Sequence, residues 1–188
     1  SPATHLTALK VGDASEDYVN NSLTSITFGN NILLRTVDLR NCAKLTQAPD
    51  LSGCTNIEEV YLDGTTVTGV SLPNGGILRV LHLPSTVTNL TLRNQIKLED
   101  FVLPNPSGIT TLRLENNSDV VDPMAILNSM AANGRVRIIG FDLEMTESEL
   151  DVLLTKLGSM RGLDESGNNT EIAQISGRIY VEEINGSV

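Results

Sequence analysis

The residue types that carry catalytic chemistry are few in this chain: two histidines, His5 and His82, and two cysteines, Cys42 and Cys54. A general base needs a positioned nucleophile and an orienting partner, and no such set lies near either histidine in sequence. His82 stands between Leu81 and Leu83 at an outward strand position, which reads as a surface histidine. The neighbours of Cys42 and Cys54 predict two small buried thiols in turns, with a disulfide or a reactive thiol as the alternative. The run Asp164-Glu-Ser-Gly-Asn168-Asn-Thr170 gathers oxygen ligands around a glycine. It lacks the spacing of a calcium loop, so a solvated turn is the reading and weak calcium binding the alternative. The triplets at Asn20, Asn89, Asn116, Asn168 and Asn185 match N-x-[ST], a match that a chain rich in Asn, Ser and Thr makes by chance. The sequence therefore predicts no enzyme: no catalytic residue, no metal and no cofactor.

Recognition is the other chemistry available, and it depends on how the chain lays out its side chains. Apolar phrases such as Leu34-Arg-Thr-Val37-Asp-Leu39 and Val87-Thr-Asn-Leu90-Thr-Leu92 recur with starts at 23, 34, 45, 57, 67, 78, 87, 98 and 109. Two residues past each phrase stands a turn former: Asn30, Asn41, Gly53, Gly64, Asn74, Ser85, Asn94, Asn105 or Asn116. Asn and Gly tolerate left-handed backbone, and Asn and Ser bond nearby main chain, so each unit reads as a short strand ended by a corner. Alternate units differ. One set carries Thr24, Thr46, Thr68, Thr88 and Thr110 at its second position, whereas the other carries Arg35, Glu58, Arg79 and Glu99. The period is thus about 22 residues, and the phrases predict a mainly β fold: a leucine-rich-repeat β-solenoid with two short strands per turn.

The two columns offer different surfaces. The threonine column is small, neutral and uniform; a plain solvated β face is its reading, against an ice-binding or glycan ladder. The other column varies, and it is the candidate binding face: Arg35, Asp38, Glu58, Glu59, Tyr61, Arg79, His82, Glu99 and Asp100, with Arg40 and Asp63 beside them. A merely solvated charged face is the alternative. Tyr61, the one ring offered there, is the expected anchor.

The ends follow another grammar. Asp13-Ala-Ser-Glu16 reads as a capping box opening a short helix through Tyr18 and Val19, within an N-terminal cap over residues 1–22. The repeat spans 23–118. From 119 to 188 the pattern is helix, strand, helix, strand: Asp122-Pro123 opens a helix through Ala132, and Arg135 to Phe141 is a strand. Thr146-Glu-Ser-Glu149 caps a helix with Leu150, Leu153, Leu154 and Leu157 on one stripe, and Ala173 to Glu183 alternates as a strand. This predicts a small α/β unit with parallel strands capping the solenoid.

The 188 residues carry a net charge of −10 with no basic run, which excludes nucleic acid and anionic membranes as natural partners. No apolar stretch is long enough to insert in a membrane. Aromatic residues make up 3 % and tryptophan is absent, so the core must be built from Leu, Ile and Val. The sequence opens at Ser1 and shows no signal peptide, so it reads as a piece of a longer protein.

The phrases "LRNCAKL", "LPNGG" and "LPSTVTNLTLRN" resemble the leucine-rich repeats of bacterial surface proteins and of tail-associated proteins of tailed bacteriophages. "VRIIGFDLEM", "GLDESGNNTEIAQISG" and "IYVEEI" are similar to segments that follow such repeats in large phage tail proteins. The resemblance implies a structural and binding module of a phage tail or host-contact protein, located in the virion. Its partner would be a protein or a cell-surface polymer, and oligomers would form through neighbouring segments of a longer chain. The alternative is an extracellular leucine-rich-repeat adhesin of a bacterial cell surface.

Overall fold

The computed structural model describes residues 5–15, 19–171 and 173–182. Among these residues eleven strands form two sheets, which with two α-helices surround one apolar core running from Phe28 to Met160.

The first sheet consists of β1 (Ala8–Lys10), β2 (Thr36–Asp38), β3 (Glu59–Tyr61), β4 (Val80–His82) and β6 (Asp100–Val102). All neighbours are parallel, in the order β1-β2-β3-β4-β6. Each strand is three residues long, and its middle residue is apolar and packs in the core. Leu9, Val37, Val60, Leu81 and Phe101 share one register column, and Val37, Val60 and Leu81 are fully buried.

The second sheet is mixed. Its strands are β5 (Asn89–Arg93), β7 (Thr111–Glu115), β8 (Arg135–Thr146), β9 (Arg161–Leu163), β10 (Asn169–Thr170) and β11 (Gln174–Glu182). The order is β10-β9-β8-β7-β5, with β11 parallel to β8. Only β10 runs antiparallel, to β9. Helix α1 (Pro123–Ser129) is capped by Asp122, whose Oδ1 accepts from the amides of Met124 and Ala125, each at 2.9 Å. Helix α2 (Glu147–Gly158) begins with a complete capping box between Thr146 and Glu149. Of its leucine stripe Leu153 is buried, but Leu154 is exposed.

This architecture corrects the expected leucine-rich-repeat solenoid with two strands per turn and a separate α/β cap. Strands over the threonine column exist only at β5 and β7. The segments of Thr24, Thr46 and Thr68 form none, and one isolated bridge, Asp50 to Ser71, marks their place. For the Thr46 and Thr68 segments the reason is local. Pro49 has no amide to give to a ladder, and Gly69 in mid-segment offers no side chain to pack and costs backbone entropy. The α/β elements do not form a cap of their own either: β7 pairs with β8 in parallel, so the second sheet continues without a break into the C-terminal strands.

Several corners work as the residue types dictate. Asn41, Asn94, Asn116 and Gly64 all have positive φ. Asn94 Nδ2 donates to Asn74 Oδ1 at 2.8 Å and Asn116 Nδ2 to Asn94 Oδ1 at 3.1 Å, a short asparagine ladder along one edge. At the next level stands Gly140, with φ of 76°, where β8 bulges and a side chain would overlap Asn116 Oδ1. The helix expected from Asp13 to Val19 falls on residues 16–18, outside the described residues; Asp13 Oδ1 does accept the Ser15 amide at 2.7 Å.

Candidate functional site

The five-strand parallel sheet fixes the outer columns of the candidate face. One column precedes the strands: the Glu58 amide donates to the Arg35 carbonyl, the Arg79 amide to Glu58, and the Glu99 amide to Arg79. Their side chains therefore stand in a row of alternating sign, Arg35, Glu58, Arg79, Glu99. Arg35 pairs with Glu58, and Arg79 Nη2 lies 2.7 Å from Glu99 Oε2. Glu99 is held below the usual carboxylate range by its bonds to Arg79. The next column places Thr36, Glu59, Val80 and Asp100 side by side. Thr36 Oγ1 reaches Glu59 Oε2 at 3.4 Å.

The third outer column, Asp38-Tyr61-His82, gathers a cluster that spans four strands or their exits. Arg40 grips Asp38 with two bonds, Nε to Oδ1 at 3.0 Å and Nη2 to Oδ2 at 2.5 Å. The same guanidinium lies 4.6 Å above the Tyr61 ring centroid. On its other flank Tyr61 meets His82 edge to face, centroids 5.1 Å apart. His82 in turn stands between two carboxylates: Nε2 is 2.9 Å from Asp100 Oδ2 and Nδ1 is 3.5 Å from Asp63 Oδ2. Asp63 Oδ2 is buried without a hydrogen bond among the described residues. Burial, and then the charge of Glu59, push the Tyr61 hydroxyl upward in pKa.

The residues singled out from sequence thus share one face, with one correction. Asp38 is not outward and free; it is buried at 4 % exposure under Arg40. Burial alone would raise its pKa, yet the bonds from Arg40 hold it below the usual carboxylate range. Tyr61 is half-buried, so it offers a supported ring rather than a protruding one.

Cys42 and Cys54 are fully buried, and burial pushes both thiols up in pKa. The Asp164 loop is a tight turn whose two carboxylate oxygens are both taken by Asn168, from its amide at 2.8 Å and its Nδ2 at 3.1 Å. Among the described residues no group of three or more His, Cys, Asp or Glu is placed to hold a metal. No helix there is long and apolar enough to cross a membrane.

Sequence reasoning missed a charged cluster on the outer side of the second sheet. Glu115 accepts from three guanidiniums: Arg137 Nε at 2.7 Å, Arg113 Nε at 2.8 Å and Arg93 Nε at 2.9 Å. Arg113, Glu115 and Arg137 are all buried. Arg113 also donates to the Glu165 carbonyl at 2.7 Å, and Arg137 bonds the Gln174 side chain. Burial raises the Glu115 pKa, but the three donors prevail and bring it down to about 2. The available signal was alternation in "TLRLE" and "VRI", which puts Arg113, Glu115 and Arg137 on one sheet face. The covering loop near Glu165 left no such signal.

No known family model, curated protein or solved structure matches this chain.

Proposed function

We propose that the chain is a non-enzymatic structural and binding module of a bacteriophage tail or host-contact protein, acting in the virion. It meets another protein or a cell-surface polymer through the outer face of the first sheet. The observation that carries this reading is the arrangement of that face: an alternating row, Arg35-Glu58-Arg79-Glu99, beside the linked cluster of Asp38, Arg40, Tyr61, Asp63, His82 and Asp100. Polar side chains already held by one another lose little freedom on docking, and a patterned sign fixes orientation on a complementary surface. The resemblance of the repeat phrases and of the C-terminal phrases to phage tail proteins supplies the biological setting.

The cluster is a poor catalyst on its own geometry. Among the described residues His82 contacts two carboxylates and the edge of a ring, and none of these partners is the serine, threonine or cysteine nucleophile that acyl-transfer chemistry pairs with a histidine. The test is to assay the purified chain for saturable binding to immobilised bacterial envelopes, and for turnover of glycan, peptide and ester substrates. Binding without turnover is the expected result. Turnover that disappears in His82→Ala would overturn the reading.

A further inference from the structure

On the opposite sheet β5 is left open on one side. Strand β5 gives its even-numbered residues to β7: the Thr111 amide donates to the Thr88 carbonyl and the Asn94 amide to the Glu115 carbonyl, with Leu90 and Leu92 between. The odd-numbered amides and carbonyls therefore point the other way, towards residues 68–75. Among the described residues, main-chain hydrogen bonds join that segment to β5 only near its two ends. The Asn89 amide donates to the Thr68 carbonyl at 3.2 Å, and the Gly75 amide to the Arg93 carbonyl at 2.8 Å.

Between those points no main-chain hydrogen bond joins the two segments among the described residues. Ser71 instead turns to the preceding level, donating to the Pro49 carbonyl and accepting from the Leu51 amide. The Asn89 carbonyl, both main-chain groups of Thr91 and the Arg93 amide thus line one side of a groove of about 450 Å³. Val70 and Leu72 line the other side, and by the same parity their amides and carbonyls face in. The sides are closest at Gly69, where a methyl would sit 3.2 Å from the Asn89 carbonyl oxygen.

An edge strand with unpaired main-chain groups beside a groove is the geometry of strand addition. Charge selects the occupant. At the groove's far end Arg93 is one of three guanidiniums sharing the carboxylate of Glu115, and the exposed Glu165 carboxylate lies 4.0 Å from one of the others, Arg137, leaving three cations against two anions. This end carries surplus positive charge, in a chain whose net charge is −10. We propose that this slot takes an extended peptide segment of a partner protein, paired to the odd-numbered groups of β5, with an acidic side chain against Arg93.

The test uses the full chain and two fluorescein-labelled synthetic nonapeptides of alternating Thr and Val, one with a central Asp and one with a central Lys, read by anisotropy. The Asp peptide should bind saturably and better than the Lys peptide, against the sign of the chain's own net charge. Thr91→Pro removes one slot-facing amide without touching the β5–β7 ladder and should weaken binding about tenfold, the order expected for one hydrogen bond with added steric misfit. Arg93→Ala should abolish the preference for Asp. In the unaltered chain, amide exchange at Thr91 and Arg93 should slow when the Asp peptide is added, a readout that does not depend on how the variants fold. The proposal is overturned by absent binding, by equal binding of the two peptides, by unchanged exchange, or by self-association that fills the slot with a second copy of this chain.

Discussion

Loss of the Glu115 carboxylate should be costly. The residue is 8 % exposed and holds three guanidiniums, two of them buried as well. Its carboxyl drops from an ordinary 4.5 to about 2 in the folded chain. The fall is equivalent to about 3 kcal/mol of preference for the charged form. The sign follows from the depressed value: the contribution is complete above about pH 4.5, and it is lost as pH falls through about 2. Glu115→Gln keeps the shape but leaves Arg93 and Arg113 without their carboxylate and Arg137 with only the exposed Glu165, 4.0 Å away, and breaking a buried pair in this way costs about 3–5 kcal/mol. Urea denaturation of both proteins at pH 7 and at steps down to pH 2.5 measures the difference directly, since the other carboxylates titrate equally in both. The gap should be about 3 kcal/mol or more at neutral pH and should narrow below about pH 4.5. Adding Arg137→Met to Glu115→Gln should recover part of the loss by removing one buried charge. A gap under about 1 kcal/mol at pH 7, the size of an ordinary surface effect, or one that stays constant with pH, refutes the argument.

Other outcomes follow from the core and the thiols. Leu90 is 1 % exposed, so Leu90→Ala should cost about 2–5 kcal/mol by chemical denaturation. Its exposed neighbour offers the contrast: Thr91→Ala should cost under about 1 kcal/mol, and equal costs would refute the strand register. Cys42 and Cys54 are buried with raised pKa values, so neither should react with a thiol reagent at neutral pH until denaturant unfolds the chain.

What was legible in the sequence is what local chemistry decides. Inward Leu, Val and Ile at alternate positions placed four strands of the first sheet, β2, β3, β4 and β6, whereas β1 lies in the segment read as an N-terminal cap and was missed. The left-handed corners at Asn41, Asn94 and Asn116 followed from the residue type. The Asp122 cap and the Thr146 capping box were readable for the same reason. Where the pattern misled, a single residue overrode it: Pro49 and Gly69 sit inside phrases that otherwise repeat, and the second sheet starts only after them. Asp38 fills an outward position by parity, yet Arg40, two residues on, folds over it and buries it. The Glu115 cluster and the open side of β5 arise from groups brought together from positions 68 to 174, and pairing over such distances leaves no local mark in the chain.

The most direct test of the central claim compares the two sheets as docking surfaces. Binding of the chain to immobilised bacterial envelopes is measured for Tyr61→Ala and Glu58→Arg on the first sheet and for Thr110→Arg on the second. Tyr61→Ala should raise the off-rate and cost about 2 kcal/mol, as expected for a supported aromatic anchor. Glu58→Arg, which breaks the alternating row, should slow association and change its salt dependence. Thr110→Arg should leave binding as it is. If both first-sheet variants bind as the unaltered chain does while Thr110→Arg abolishes binding, the face assigned here is not the one that meets the partner.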